Sequence, residues 1–141
     1  MTQITLDASK GQLVAYVFGQ DALAASQTDV QLPTVTAEAS QAVDGYTMPF
    51  AGDVVAVAWS TDTAVTAGQL TIGATIGGTE DTDTTVTITA GTGGQIAVPR
   101  GKCSFAAAAR LGCEITTNAG FTPVAADLVA VVYVLHDMDG I

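Results

Sequence analysis

The chain has 141 residues and a formal net charge of −10, from fourteen acidic and four basic residues. A chain of this length is expected to form one hydrophobic core, so we expect a single domain. The negative charge repels nucleic acid and anionic membranes, which disfavours binding to either. Charged residues make up only 13% of the sequence, against about 25% in an average soluble protein. Such a surface suits a monomer rich in Thr and Ser, and it equally suits a protein covered in part by copies of itself or by a partner.

Small and β-branched side chains dominate the composition. The sequence contains 24 Ala, 16 Val, 21 Thr and 15 Gly. Val and Thr fit a pleated sheet and Gly supplies turn geometry, so the composition favours strands over helices. The N-terminus shows no basic start followed by an apolar run, and no stretch reaches the roughly 18 apolar residues of a membrane span. We therefore expect a soluble chain made in a cytosol.

The N-terminal part is the least regular. Residues 12–18 (QLVAYVF) predict a strand, and residues 30–36 (VQLPTVT) predict an edge or irregular strand around Pro33. The segment from Met1 to Asp44 is therefore predicted to be irregular, with one or two strands, and to serve as a possible arm. Residues 45–141 are predicted to form the body of the same domain.

Strand patterns are clearer in the body. Residues 53–60 (DVVAVAWS) form a near-continuous apolar run, which predicts a strand covered on both faces with Trp59 in the core. Residues 69–76 (QLTIGATI) and 84–89 (TTVTIT) alternate between apolar and polar positions. Gly77 and Gly78 suit a tight turn, so we expect a hairpin with an acidic tip at residues 79–83.

The C-terminal half continues this pattern. The glycines of residues 91–94 predict a turn, residues 95–98 a short strand, and residues 110–117 (RLGCEITT) an alternating strand. Residues 127–135 (DLVAVVYVL) predict a strand deep in a sheet. The alanine-rich residues 22–26 and 104–110 are too short for stable helices, so turns are expected there. The fold class is therefore predicted to be all-β, an antiparallel β-sandwich or jelly roll.

No catalytic centre is predicted. His136 is the only histidine, no G-x-S-x-G occurs, and nothing marks a facing carboxylate pair among Glu38, Glu80 and Glu114. Cys103 and Cys113 are interpreted as two small buried apolar residues, with their pairing left open. We therefore expect no enzyme activity, no cofactor and no transition metal.

Two charged clusters remain as candidate sites. Glu80, Asp81 and Asp83 could bind Ca²⁺, which takes oxygen ligands, although acidic turns are usually just solvated. Arg100, Lys102 and Arg110 hold three of the four basic charges within eleven positions. Any electropositive contact is therefore local, and the alternative is that these charges only solubilise a loop.

A series of residues from Tyr46 onward resembles a known family. Its landmarks are residues 45–49 (GYTMP), 51–57 (AGDVVAV), Ala67-Gly68, Gly77-Gly78, and residues 116–123 (TTNAGFTP) followed by Asp127-Leu128. This order resembles the small decoration, or cement, proteins of tailed-bacteriophage heads, over roughly the last 95 residues. The sequence departs from that pattern after Phe105, where four alanines and Arg110 follow.

The resemblance implies a β-rich, trimeric protein on the outside of an icosahedral capsid, made in the host cytoplasm. Its partners would be the major capsid protein, which it would clamp to its neighbours, and two copies of itself. The arm from Met1 to Asp44 would lie along the capsid or a neighbouring subunit.

Three alternatives are kept open. A receptor- or carbohydrate-binding module of a phage fibre or tail would use Tyr46, Trp59 or the acidic tip. A bacterial surface-layer or pilus module would share the sandwich but would normally be exported. A hydrolase with a diffuse site is the third alternative.

Overall fold

The computed structural model describes residues 11–34 and 43–138. In this part of the chain the regular elements are strands and one 3₁₀ turn at Thr82–Thr84, which confirms the all-β class. The strands are β1 (Gln12–Gln20), β2 (Val30–Gln31), β3 (Tyr46–Thr47), β4 (Gly52–Val65), β5 (Leu70–Ile76), β6 (Thr79–Glu80), β7 (Val86–Ile88), β8 (Gly91–Ala97), β9 (Ser104–Phe105), β10 (Arg110–Thr117) and β11 (Leu128–His136). No helix among these residues is long and apolar enough to cross a membrane.

The strands form two antiparallel sheets. Sheet A has the order β1-β11-β4-β8, with β9 also paired to β4. Sheet B has the order β2-β10-β5-β6, with β3 also on β10 and β7 also on β5. Successive strands repeatedly change sheet, as from β4 to β5 and from β10 to β11. The predicted sandwich is confirmed, and its finer description as a jelly roll stays a prediction.

Both sheets contribute to one hydrophobic core. Phe18, Trp59 and Val132 of sheet A and Ile72 and Ile115 of sheet B are buried in the same cluster. Alternate residues of each strand point into this cluster, because successive side chains of a strand face opposite ways. The other set of alternate residues forms the two outer faces of the sandwich.

Within a single chain the apolar run in β4 buries only one face, so the prediction that the strand is covered on both faces is wrong for the isolated molecule. Val54 pairs with Val134 and Ala56 with Tyr133, which leaves Val55 as the extra residue of a β-bulge. The bulge lets Val54 and Val57, three positions apart, both lie in the core. The apolar run arises because the outward residues Ala56 and Ala58 are also apolar.

The glycines of residues 91–94 belong to a strand, so the predicted turn is wrong. They begin β8, where Gly94 lies opposite Trp59 of β4. A Cβ atom at Gly94 would lie 2.8 Å from the indole nitrogen of Trp59. The missing side chain therefore makes room for the tryptophan ring on the neighbouring strand.

The N-terminal segment is largely built into the sandwich. The predicted first strand is confirmed as β1, which pairs with β11 over all nine residues. The second shortens to β2, followed by an isolated bridge between Phe18 and Thr34. Phe18, Leu23 and Leu32 are fully or almost fully buried. Residues 11–34 therefore belong to the body, and the predicted arm does not extend over them; its residues 1–10 and 35–42 lie outside the described residues.

The two alanine-rich segments are turns, as predicted. Ala22 and Ser26 in the first and Ala108 in the second have φ values of +53°, +58° and +67°. These left-handed conformations are incompatible with a right-handed helix.

Candidate functional site

The acidic run does not form the tip of its hairpin. Gly77 and Gly78 have φ values of +62° and +86°, which suit a two-residue turn between β5 and β6. The hairpin therefore closes before the acidic residues, and these occupy β6 and the 3₁₀ turn. The predicted acidic tip is wrong because the turn needs positive φ values at both central residues, which glycine adopts freely.

The three calcium candidates have different partners. Glu80 accepts a hydrogen bond from the hydroxyl of Thr85 at 2.7 Å. Asp81 accepts one from the backbone N–H of Asp83 at 2.9 Å and so caps the 3₁₀ turn. The calcium prediction for Glu80, Asp81 and Asp83 stays a prediction, and the fold gathers a different set of carboxylates.

Asp29, Glu80 and Glu114 form an acidic pocket on the outer face of sheet B. Their carboxylate oxygens all lie within 4.8 Å of one another, the one such group of acidic side chains among the described residues. The pocket is open, has a volume of about 550 Å³ and also includes Gln31. Glu114 is almost fully buried in it.

The register of sheet B builds this pocket. Glu114 of β10 lies opposite Gly73 of β5, and Glu80 of β6 lies opposite Thr75. A Cβ atom at Gly73 would lie 2.2 Å from a carboxylate oxygen of Glu80. The glycine therefore lets the Glu80 side chain cross β5 and reach Glu114. Sequence analysis missed this pair because it depends on strand register and on an absent side chain.

The contact between the two glutamates changes the acidity of Glu114. Burial raises the pKa of Glu114 to about 7, and the hydrogen bond with Glu80 and the charges of Glu80 and Asp29 add to the increase. Gln31 donates a hydrogen bond to Glu114 at 2.8 Å, and this hydrogen bond lowers the pKa of Glu114. Glu114 therefore keeps its proton up to near neutral pH. The sequence marks no facing pair of glutamates, but the structure brings Glu80 and Glu114 together. The absence of catalysis stays a prediction.

The candidate basic residues lie in two different places, Arg100 and Lys102 in the loop between β8 and β9 and Arg110 on β10, and the two arginines are paired with aspartates. Arg100, beside the start of β4, lies 3.5 Å from Asp53. Arg110 of β10 forms an ion pair with Asp44 at 2.9 Å. Lys102 is exposed. A basic contact at these three residues stays a prediction, but each arginine already has an aspartate partner.

The two aromatic candidates for ligand binding are built into the fold. Trp59 is only 5% exposed. The hydroxyl of Tyr46 donates a hydrogen bond to the carbonyl of Val17 at 2.9 Å, and its ring packs on Tyr16 and Phe18. Neither ring offers the free face on which a sugar stacks, so the acidic pocket remains as the candidate feature for a glycan-binding module.

His136 is a buried residue with a structural role. Its Nδ1 lies 3.1 Å from the carbonyl of Phe50, which can only accept a hydrogen bond. In a neutral ring the proton therefore sits on Nδ1, and Nε2 accepts a hydrogen bond from Tyr16 at 2.7 Å. Both ring nitrogens are used within the fold.

The cysteines are free and buried, as the interpretation of two small apolar residues predicts. Burial, followed by the charge of Asp81, raises the pKa of the Cys103 thiol to about 12. Burial also raises the pKa of Cys113. Both thiols therefore stay protonated at neutral pH, and a thiolate is the reactive form.

The outer face of sheet A is apolar. It has exposed aliphatic side chains, including Leu13 at 61% and Val129 at 43% exposure. Strand register places the following residues on it: Leu13, Ala15, Val17 and Gly19 of β1, Val129, Val131, Tyr133 and Leu135 of β11, Ala56, Ala58 and Ser60 of β4, and Gly93, Gln95 and Ala97 of β8. The same register places one charged residue on this face, Asp53 of β4, which lies at its end opposite Leu135.

The outer face of sheet B is polar by comparison. Strand register gives it these residues: Gln31, Thr71, Gly73, Thr75, Glu80, Thr87, Arg110, Gly112, Glu114 and Thr116. An antiparallel sheet with one face in water alternates between apolar and polar residues. Sheet B follows this rule and sheet A does not, which makes the outer face of sheet A the stronger candidate for a contact surface.

Two of the landmarks that carry the sequence resemblance meet at one end of the sandwich. Ala67 forms a β-bridge with Thr122, and the backbone N–H of Gln69 donates a hydrogen bond to the side chain of Asn118 at 3.1 Å. A Cβ atom at Gly68 would lie 2.4 Å from the backbone of Gly120. The landmarks at Ala67-Gly68 and in residues 116–123 are therefore one structural unit.

Comparisons with known proteins gave one solved structure to report. A chain of the "Cyanophage Pam1 capsid asymmetric unit" aligns with 96% of this chain and 93% of its own length, at 13% identity and a TM-score of 0.42. A structural similarity with this TM-score and sequence identity does not indicate a function. No protein-family model and no curated protein matches the sequence.

Proposed function

We propose that this protein is a structural virion protein, which binds the outside of an icosahedral phage head and stabilises the capsid by bridging major capsid proteins. The observation that carries the proposal is the outer face of sheet A, a broad apolar surface with its charged strand residues only at its ends. Exposed apolar patches of this kind mark protein–protein contacts. The sequence resemblance to decoration proteins supports the same function.

The proposed mechanism is assembly on a repeating lattice. Many copies, each with a few contacts, together resist the outward pressure of packaged DNA, because linked contacts must all fail before the shell expands. The protein would act as a homotrimer in which each copy contacts a different capsid subunit. Its synthesis would take place in the host cytoplasm and its final location would be the capsid exterior.

Co-sedimentation with empty heads that lack the protein tests this function. The proposal predicts saturable binding at a fixed ratio to the major capsid protein, and decorated heads that break at a higher temperature than bare heads. Protein that stays in the supernatant at all concentrations, or that binds without raising the rupture temperature, contradicts it. Expanded and unexpanded heads, compared side by side, show which lattice is recognised.

A carbohydrate-binding module on a phage fibre or tail is the second candidate, and the acidic pocket is the observation that favours it. Three carboxylates and Gln31 line an open pocket large enough for a sugar ring. A glycan array tests this candidate, with Glu114→Gln as the variant that removes one pocket carboxylate. Binding that the variant weakens supports it, and an array without signal contradicts it.

A further inference from the structure

The contrast between the two outer faces shows that sheet A is not adapted to water. In sheet B the outward positions of β5 are Thr71, Gly73 and Thr75, whereas in β11 they are Val129, Val131, Tyr133 and Leu135. The same chain thus alternates strictly on one sheet and not on the other. Since the hydrophobic effect favours removing such a surface from water, a partner surface is needed.

The distribution of charge indicates what kind of partner fits. The chain carries a net charge of −10, yet the outer face of sheet A carries charged residues only at its ends. Asp53 and Asp62 lie at the two ends of this face on β4, where each has a partner within the chain. Contact through this face keeps the acidic groups of two copies at the rim. Apolar centres with polar rims are typical of protein interfaces.

The size of the face is adequate for self-association. Four strands about 4.8 Å apart, over seven residues that each rise about 3.3 Å, project on the order of 450 Å². Two such faces packed together would bury roughly 900 Å² in total, without the added area of the protruding side chains. This is close to the roughly 1,000 Å² of a specific interface. A surface of this size and flatness is complementary to another flat apolar sheet, and the molecule itself supplies one.

We infer that the outer face of sheet A is the surface through which copies of this chain associate. The occupant of the face is another copy of this chain. Around a two-fold axis the face meets the same residues of the other copy, whereas in a ring of three one part of the face meets a different part of the neighbouring copy's face. The inference rests on the part of the proposed function in which the protein assembles with itself. The polar outer face of sheet B then stays accessible.

The test is the mass of the full chain in solution. Light scattering at about 100 μM protein, where micromolar contacts are occupied, should give two or three times the chain mass of 14.2 kDa. Leu13→Glu and Val129→Glu place a charge on the face at exposed positions that the core does not use. Each variant should reduce the mass to that of one chain and leave the far-ultraviolet circular dichroism unchanged.

Thr87→Glu is the matched control, because it adds the same charge at an exposed strand position on the outer face of sheet B. It should keep the mass of the wild type. A wild-type monomer at this concentration overturns the inference, as do face variants that keep the wild-type mass. If either face variant unfolds, Val129→Thr, which adds a hydroxyl without a charge, should still weaken association.

Head binding is measured on the same proteins, so that the two proposals fail separately. A monomer that binds heads, and loses binding in Val129→Glu, shows that a capsid protein covers the face; this overturns self-association and leaves the proposed function standing. A dimer or trimer that never binds heads supports the inference and contradicts the proposed function.

Discussion

At the scale of single residues, the main finding is the contact between Glu80 and Glu114. A carboxyl group whose pKa is raised on folding binds its proton more tightly in the native state than in the unfolded chain. For Glu114 this difference covers the range from its ordinary pKa near 4.5 up to about 7. Within this range the native state holds more protons, so its stability falls as the pH rises.

The first prediction follows from this sign. The free energy of unfolding contributed by Glu114 is fully present below pH 4.5 and is lost as the pH rises through about 7. Glu114→Gln, which is neutral at every pH, should flatten this part of the profile. Thermal melts between pH 5 and pH 8 measure it, with Asp83→Asn as a control at an exposed carboxylate. Equal pH slopes in Glu114→Gln and the wild type would refute the raised pKa of Glu114.

At the scale of elements, β1 decides whether the N-terminal segment belongs to the body. Nine backbone pairs join it to β11, and Phe18 is completely buried. An arm that leaves the domain would contribute little to stability, whereas a core strand would contribute much.

The second prediction is that Phe18→Ala lowers the free energy of unfolding by about 3–5 kcal/mol, the usual cost of removing a buried phenylalanine. Val124→Ala, at a residue 60% exposed, should cost about 0.5 kcal/mol. Urea denaturation measures both. A Phe18→Ala variant as stable as the control would place the segment outside the cooperative fold.

The third prediction concerns the contact between Gly68 and the 116–123 segment. Gly68 has a φ of +70° and no room for a Cβ atom, whereas Gly77 has a φ of +62° and open space. Gly77→Ala should therefore cost about 1 kcal/mol from backbone strain alone. Gly68→Ala should cost about 3 kcal/mol or more, because the backbone of Gly120 must also move. Similar melting temperatures for the two variants would show that the contact contributes nothing.

The sequence alone predicts a strand wherever the pattern of apolar and turn residues lies within that strand. β1, β5, β10 and β11 combine β-branched residues with turn residues at their ends, and each was predicted within about two residues. The contacts that the sequence does not predict are between residues that are distant along the chain. The glycines of β8 accommodate Trp59 of β4, and Gly73 makes room for the contact of Glu80 with Glu114. Neither contact has a local pattern, because each depends on how two strands are aligned.

At the scale of the whole molecule, the sandwich has two different sides. Sheet B presents threonines, an acidic pocket and one arginine ion pair, and sheet A presents uncharged aliphatic residues. The composition alone indicates a surface with few charges. Only the strand register shows that the exposed apolar residues of the sandwich are concentrated on the outer face of sheet A. A protein that works through contact area on a lattice needs such a face. Both self-association and capsid binding are proposed because the molecule has this apolar surface.

Cryo-electron microscopy of the particles from which this protein is recovered tests the proposed capsid function most directly. We expect density for this sandwich on the outside of the capsid, between neighbouring major capsid proteins. The outer faces of sheet A from adjacent copies should be packed together. Particles without this density on the head, or with it only on the tail or fibres, would contradict the account.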